Sequence, residues 1–249
     1  MAWKMYHWKE ERPVIAAHRG FSALYPENTL IAFEEAARLG VDMIELDVQI
    51  SKDGIPVLYH DASLMEKTGH PRSVMDYTCQ KLTEIQIGEN LGFQPENIIT
   101  LEDLLILYQN WPDILLNIDL KSAPVEVIVA PVLAMVNKHG YENRCIFNSL
   151  NGDVTKHLKA YTDFFTVGPP NNFPGNVNHV NGVDGTYATL DGVCVPTMTL
   201  THEIADYYRS INKVLLCAPV EDEEKAKLSL DCGVQIIMCD DPRFLISQR

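Results

Sequence analysis

The chain has 249 residues, of which 46% are hydrophobic and 22% charged, a balance that argues against a disordered or membrane-embedded protein and allows one sizeable core. A formal net charge of -14, with no basic stripe or aromatic-basic alternation, disfavours nucleic acid as a partner. An anionic small molecule stays open, because a cluster of cations or a bound metal can reverse the potential inside one pocket.

The first segment, MAWKMYHWKEERP (1–13), has no apolar stretch of the kind a signal peptide needs, and no run in the chain approaches a membrane span. A cytoplasmic location without stable membrane insertion is the expectation. Strand-like apolar runs then follow in order: VIAAH (14–18), MIELDV (43–48), ILLNIDL (114–120), CIFNS (145–149), FFTVG (164–168), GVCVP (192–196), VLLCA (214–218) and VQIIMC (234–239). Most are apolar throughout, as strands buried on both faces must be, and such strands belong to parallel sheets. Helix signals separate them. Leu30, Phe33 and Ala37 share one face and Gly40 follows as a stop. Thr100 opens a capping box with Asp103, and a third helix covers 221–230. The alternation predicts a single α/β domain over 1–249, an eight-stranded parallel (βα)8 TIM-type barrel, with an open doubly wound sheet as the other possibility.

Two stretches break the rhythm. Residues 49–99 offer only turns and short apolar pieces, and 168–192 is rich in Pro, Gly and Asn; loops of this length are usually functional or mobile. Trp3, Met5, Tyr6 and Trp8 fit either a plug under the barrel or an amphipathic membrane anchor. The six cysteines (79, 145, 194, 217, 232 and 239) include no C-x-x-C pair, and four lie in the apolar runs, which predicts buried, reduced thiols in a reducing compartment.

Polar residues at the ends of apolar strands are the informative exception. The first run ends in His18, Arg19 and Gly20. The second carries Glu45 and Asp47, two apart and therefore on one face; the third carries Asp119 and Lys121 in the same relation. In a (βα)8 barrel these positions fall at the C-terminal face, where such enzymes keep their active sites. Three converging carboxylates without a cation would repel one another, whereas Mg2+ or Ca2+ needs ligands of this kind. The alternative is a set of structural ion pairs, Arg19 with Glu45 or Asp47 and Lys121 with Asp119. Asp53-Gly54 predicts a two-residue hairpin turn that pairs Lys52 with Ile55 and Asp47 with His60, so His60 would return to the carboxylates. Two histidines for proton transfer, an oxygen-ligated metal and two cationic donors meet the needs of phosphodiester cleavage.

In order and spacing, His18-Arg19-Gly20, Pro26-Glu27-Asn28-Thr29, Glu45-Leu46-Asp47-Val48 and His60-Asp61 resemble the successive signatures of glycerophosphodiester phosphodiesterases. The resemblance covers residues 14–121 closely and the remainder more loosely. It implies an eight-fold barrel that hydrolyses a small glycerophosphodiester to glycerol 3-phosphate and an alcohol with a divalent cation, Mg2+ or Ca2+. Glu45, Asp47 and Asp119 match metal ligands, His18 and His60 the acid/base pair, and Arg19 a phosphate contact. Lys121 matches a cation beside the third ligand, and Glu27 a supporting hydrogen-bonding residue. Asp119 departs from the family's usual Glu by one methylene, Cys217-Ala218 stands where Trp-Thr is common, and Cys239-Asp240 where Thr-Asp is usual. Two rival readings remain: a phosphodiesterase of the same barrel acting on lysophospholipids, and a catalytically silent phosphate-binding protein.

Overall fold

The computed structural model describes residues 12–121, 124–161, 163–170 and 188–249. Strands β1 (Val14–Ala17), β2 (Met43–Ile50), β3 (Pro56–Leu58), β4 (Gln86–Ile87), β5 (Glu96–Asn97), β6 (Leu115–Leu120), β7 (Cys145–Asn148), β8 (Phe165–Gly168), β9 (Gly192–Pro196), β10 (Val214–Val220) and β11 (Ile236–Cys239) include all eight expected apolar runs. The order β1-β11-β10-β9-β8-β7-β6-β2 is parallel throughout, and β2 pairs back with β1. The sheet is therefore a closed eight-stranded barrel, not an open one. Ala16, Met43, Leu115, Ile146, Val167, Leu216, Ile236 and Met238 form one cluster of the core, in keeping with a barrel of eight strands filled by side chains. Every residue of β2 is buried, which is why the run reads as continuously apolar apart from its functional positions.

The α-helices among the described residues are α1 (Leu30–Leu39), α2 (Met65–Thr68), α3 (Cys79–Leu82), α4 (Leu101–Leu107), α5 (Val125–Lys138), α6 (Gly152–Tyr161), α7 (His202–Ser210), α8 (Glu223–Asp231) and α9 (Arg243–Ile246). The predicted ends have visible causes. Thr29 caps α1 and Gly40 ends it at φ 86°. Thr100 and Asp103 exchange capping hydrogen bonds at α4. The helix expected over 221–230 begins at Glu223 because Asp222 serves as its cap, accepting from Lys225 N at 2.8 Å. Cys145, Cys217, Cys232 and Cys239 are buried, and the six cysteines form no disulfide. No helix among the described residues is long and apolar enough to cross a membrane. The aromatic N-terminal segment and most of the 168–192 stretch lie outside the described residues.

The hairpin after β2 corrects the expected turn. A type I′ turn needs positive φ at both central residues, and between β2 and β3 only Gly54 has it, at 81°. The loop is three residues long. Ser51 pairs with Ile55 (N–H to O, 3.0 Å), and the ladder runs Ile50 to Pro56 and Val48 to Leu58. Tyr59, not His60, thus stands opposite Asp47, donating its N–H to Asp47 O at 3.1 Å. Val48 pairs with both Leu58 and Leu120, and Met43 with both Ala16 and Leu115, so β3 takes over the edge of β2 that β1 has left. Pro56 is tolerated at the start of such a strand. Of residues 49–99, which read as turns and short apolar pieces, the first two end β2 and the rest hold a small core of their own: Val57, Tyr59, Leu64, Val74, Leu82, Ile85, Ile87 and Ile98.

Candidate active site

The site grows from the register of four neighbouring strands, β11, β1, β2 and β6. Glu45 lies beside Asn117 and Asp47 beside Asp119 across the β2–β6 ladder, which puts two acidic side chains at one level on adjacent strands. Like charges so placed repel. Lys121, one residue past β6, offsets this with its Nζ 2.7 Å from Asp47 Oδ1 and 2.5 Å from Asp119 Oδ2. On the other flank of β2, its neighbour β1 pairs in turn with β11, Ala17 opposite Cys239. The next residues, His18 and Asp240, therefore meet, with Nδ1 and Oδ1 2.6 Å apart.

The loop after β1 turns by left-handed backbone at Arg19 (φ 56°), Gly20 (φ 83°) and Asn28 (φ 58°). Gly20 is required there, because a Cβ would come within 2.7 Å of the Ala32 backbone carbon. The turn aims Arg19 N–H at Glu45 Oε2 (3.0 Å), and the guanidinium reaches Glu27 Oε2 (2.8 Å) and Asp47 Oδ2 (3.2 Å). Asn28, one of the few residue types that tolerate this backbone, donates from Nδ2 to Asp47 Oδ2 (2.7 Å) and accepts the Asp47 N–H at Oδ1 (3.1 Å). The Pro-Glu-Asn-Thr motif thus has a physical reading: Glu27 holds Arg19, Asn28 holds Asp47, and Thr29 starts α1.

All eight predicted site residues converge at this end of the barrel. His60 arrives by the segment after β3, which Gln49 anchors by donating to Tyr59 O (2.8 Å) and Asp61 O (2.7 Å). Its Nδ1 lies 2.6 Å from Asp61 Oδ1. The ion pairs anticipated for Arg19 and Lys121 are formed, yet they do not neutralise the cluster. Glu27, Glu45, Asp47, Asp61, Asp119 and Asp240 face Arg19, Lys67 and Lys121 as permanent cations, which leaves an excess of negative charge. Oxygens of Glu45, Asp47 and Asp119 lie within 4.8 Å of one another, and Asp119 Oδ1 is buried without a hydrogen-bond partner. Burial pushes Glu45 up to about 8, with Asp47 adding to the effect. Burial also raises Asp119 against the opposing pull of Lys121. Asp47 escapes this because Lys121 and Arg19 outweigh its burial and hold it below the usual carboxylate range. Burial thus penalises the charged forms of two of the three carboxylates, a penalty that a shared cation would offset, as in an oxygen-ligand site. Among the histidines, burial would depress His18, but its bond to Asp240 and the nearby Glu45 outweigh that and raise it.

Sequence reasoning missed Asp240 and Asp61 as partners of the two imidazoles, Asn28 as the brace of Asp47, and Lys67. It also passed over Asn117, which is buried beside Glu45 with neither amide atom partnered. Asn117 was findable by the rule that exposed the carboxylates, since it is a polar residue two before Asp119 in a core strand.

Fold and site together define a (βα)8 barrel with an acidic cluster that could hold a cation, flanked by two carboxylate-held histidines. The model of the glycerophosphoryl diester phosphodiesterase family matches residues 18–243, and the chain belongs to that family. A glycerophosphodiester phosphodiesterase of Caldanaerobacter subterraneus subsp. tengcongensis is 34% identical over 161 residues, 63% of this chain and 66% of that protein. The match thus spans just under two thirds of that relative's length. Among solved structures, a phosphodiesterase from Oleispira antarctica in complex with the product sn-glycerol-3-phosphate is similar with a TM-score of 0.83 and 22% identity, covering 99% of this chain and 98% of that one. A glycerophosphodiester phosphodiesterase from Agrobacterium tumefaciens is similar with a TM-score of 0.76 and 20% identity, covering 95% and 100%. Both carry the same barrel.

Proposed function

We propose that the chain hydrolyses glycerophosphodiesters to glycerol 3-phosphate and an alcohol, with a divalent cation, Mg2+ or Ca2+, held by Glu45, Asp47 and Asp119. One observation carries this reading: a buried carboxylate trio shares the barrel mouth with two imidazoles whose Nδ1 atoms are each taken up by a carboxylate. Family membership supports the reaction class, and the product named for the Oleispira relative supports the glycerol phosphate half of the substrate.

When bound, the cation supplies charge neutralisation at the phosphoryl oxygens. The chain's own groups do the rest. With Nδ1 engaged by Asp240 or Asp61, Nε2 is the ring atom through which His18 and His60 take and give protons, and the carboxylates fix the tautomer. One imidazole accepts the proton of the attacking oxygen and the other protonates the leaving alkoxide. Arg19 keeps Nη1 on Glu27 and Nε on Asp47, which leaves Nη2 for a phosphoryl oxygen. Lys121 adds positive charge where negative charge grows during the reaction. Glu27, itself an anion, serves the substrate by orienting Arg19.

A lysophospholipid is the second substrate class, favoured by exposed Leu24, Leu150 and Met198, the last 87% exposed. They stand on the loops that follow β1, β7 and β9, at the mouth end of the barrel. Profiling glycerophosphocholine, glycerophosphoethanolamine, glycerophosphoglycerol and a lysophosphatidylcholine, each with Mg2+ and with Ca2+, separates the readings. The expected result is turnover of the water-soluble diesters. Faster turnover of the lysolipid would shift the assignment to the second class, and failure on every ester would leave a phosphate-binding protein.

A further inference from the structure

Lys67 lies in α2, within the 51–99 segment, of which the proposed chemistry uses only His60 and Asp61. The helix has four residues and buries none of them, so Lys67 is not held there by packing of α2 itself. Its side chain nonetheless turns inward and is only 17% exposed. The ammonium lies 2.5 Å from Glu27 Oε1, 2.8 Å from Asp61 Oδ2 and 5.7 Å from the centre of the Tyr59 ring. Asp61 in turn holds His60 Nδ1 at 2.6 Å, and Glu27 is already fixed by Arg19 on its other oxygen.

Among the described residues, Lys67 and His60 are the two ion-pair partners of the Asp61 carboxylate. Burial would raise the Asp61 pKa, and Lys67 together with His60 overcomes this and lowers it. A carboxylate with no second anchor would rotate about its own side-chain bonds and carry the imidazole with it. Partly buried ion pairs of this kind contribute little net stability, so stability alone is a weak reason for drawing a lysine inward.

We propose that Lys67 is a positioning residue for His60: Glu27 anchors the ammonium, and the ammonium fixes Asp61, which fixes the imidazole. The 51–99 segment thereby delivers a cation that completes the acid/base group from outside the barrel. This rests on the assignment of His60 to proton transfer.

The test is a double-mutant cycle of Lys67→Met with His60→Ala, using the best diester of the substrate panel. A residue that acts only through another loses its effect when that other is removed. Lys67→Met should lower kcat by about 10- to 100-fold, the range seen for partners that orient a reacting or ligating group, with KM nearly unchanged. Lys67→Arg should recover most of the activity. In the His60→Ala background Lys67→Met should have almost no further effect. Effects that multiply in full would overturn the proposal, as would a raised KM with unchanged kcat, which would make Lys67 a substrate contact. If Lys67→Met does not fold, Lys67→Gln, which removes the charge but keeps a polar group beside Glu27 and Asp61, takes its place in the same cycle. Normal kcat in His60→Ala alone would instead remove the acid/base assignment on which the proposal rests.

Discussion

Replacing His18 or His60 by alanine is expected to lower kcat by about two to four orders of magnitude, the range for removing a positioned acid or base. Stability should change little. His60 is one-third exposed at the mouth, and His18 contributes one hydrogen bond to Asp240, which keeps a second bond from Ser22 Oγ at 3.1 Å. Steady-state kinetics with the best diester, alongside thermal unfolding, checks both halves. A histidine that served only to pair with its carboxylate would give the reverse pattern, a fall in melting temperature with normal kcat. KM should move less than kcat in both variants, because proton transfer develops in the transition state.

The second large effect separates Asp47 from Glu45. Asp47 receives the Asn28 amide, the Arg19 guanidinium and the Lys121 ammonium, and removing its carboxylate leaves two largely buried cations without their shared partner. Asp47→Ala is expected to cost about 3 kcal/mol at neutral pH, near the lower end of the range for breaking one side of a buried pair, and to abolish activity. Glu45→Gln should abolish activity with almost no loss of stability. Burial and Asp47 raise Glu45 from 4.5 to about 8, so the folded, metal-free protein prefers it protonated, and glutamine resembles that form. The sign follows from linkage: a carboxylate with a raised folded pKa stabilises the fold only while protonated in it. This contribution to metal-free wild-type stability should decline as pH rises from about 4.5 toward 8, and Glu45→Gln should lack that dependence. Urea titrations of the metal-free proteins across this range provide the measurement. Equal losses for the two variants would contradict the electrostatic account.

The barrel was legible in the sequence because strands covered on both faces must be apolar for their whole length, and the metal-ligand candidates were legible as the violations of that rule. Contacts that depend on closure were not. His18 and Asp240 are 222 residues apart, and only the pairing of β1 with β11 brings them together. Lys67 was hidden because its helix has no apolar stripe, and its partners Glu27 and Asp61 come from two different loops. The hairpin at Asp53-Gly54 was misjudged because the dipeptide suits two turn types. The Ser51 hydroxyl, which donates to Asp53 Oδ1 at 2.7 Å, and the Asp53 carboxylate, which accepts from Cys79 N at 2.8 Å, accompany the three-residue form. The error was one residue, enough to put Tyr59 where His60 was expected, yet His60 still reaches the site because the chain leaves the ladder after β3 and Gln49 anchors it on either side of His60, at Tyr59 O and Asp61 O.

Phosphorus NMR of glycerophosphocholine incubated with the protein, with Mg2+ or Ca2+ and again after exhaustive chelation, tests the central claim most directly. The account predicts that the diester resonance is replaced by that of glycerol 3-phosphate when the cation is present, that conversion stops after chelation, and that it resumes when the cation is restored. Undiminished conversion after chelation, or a product other than glycerol 3-phosphate, would contradict it.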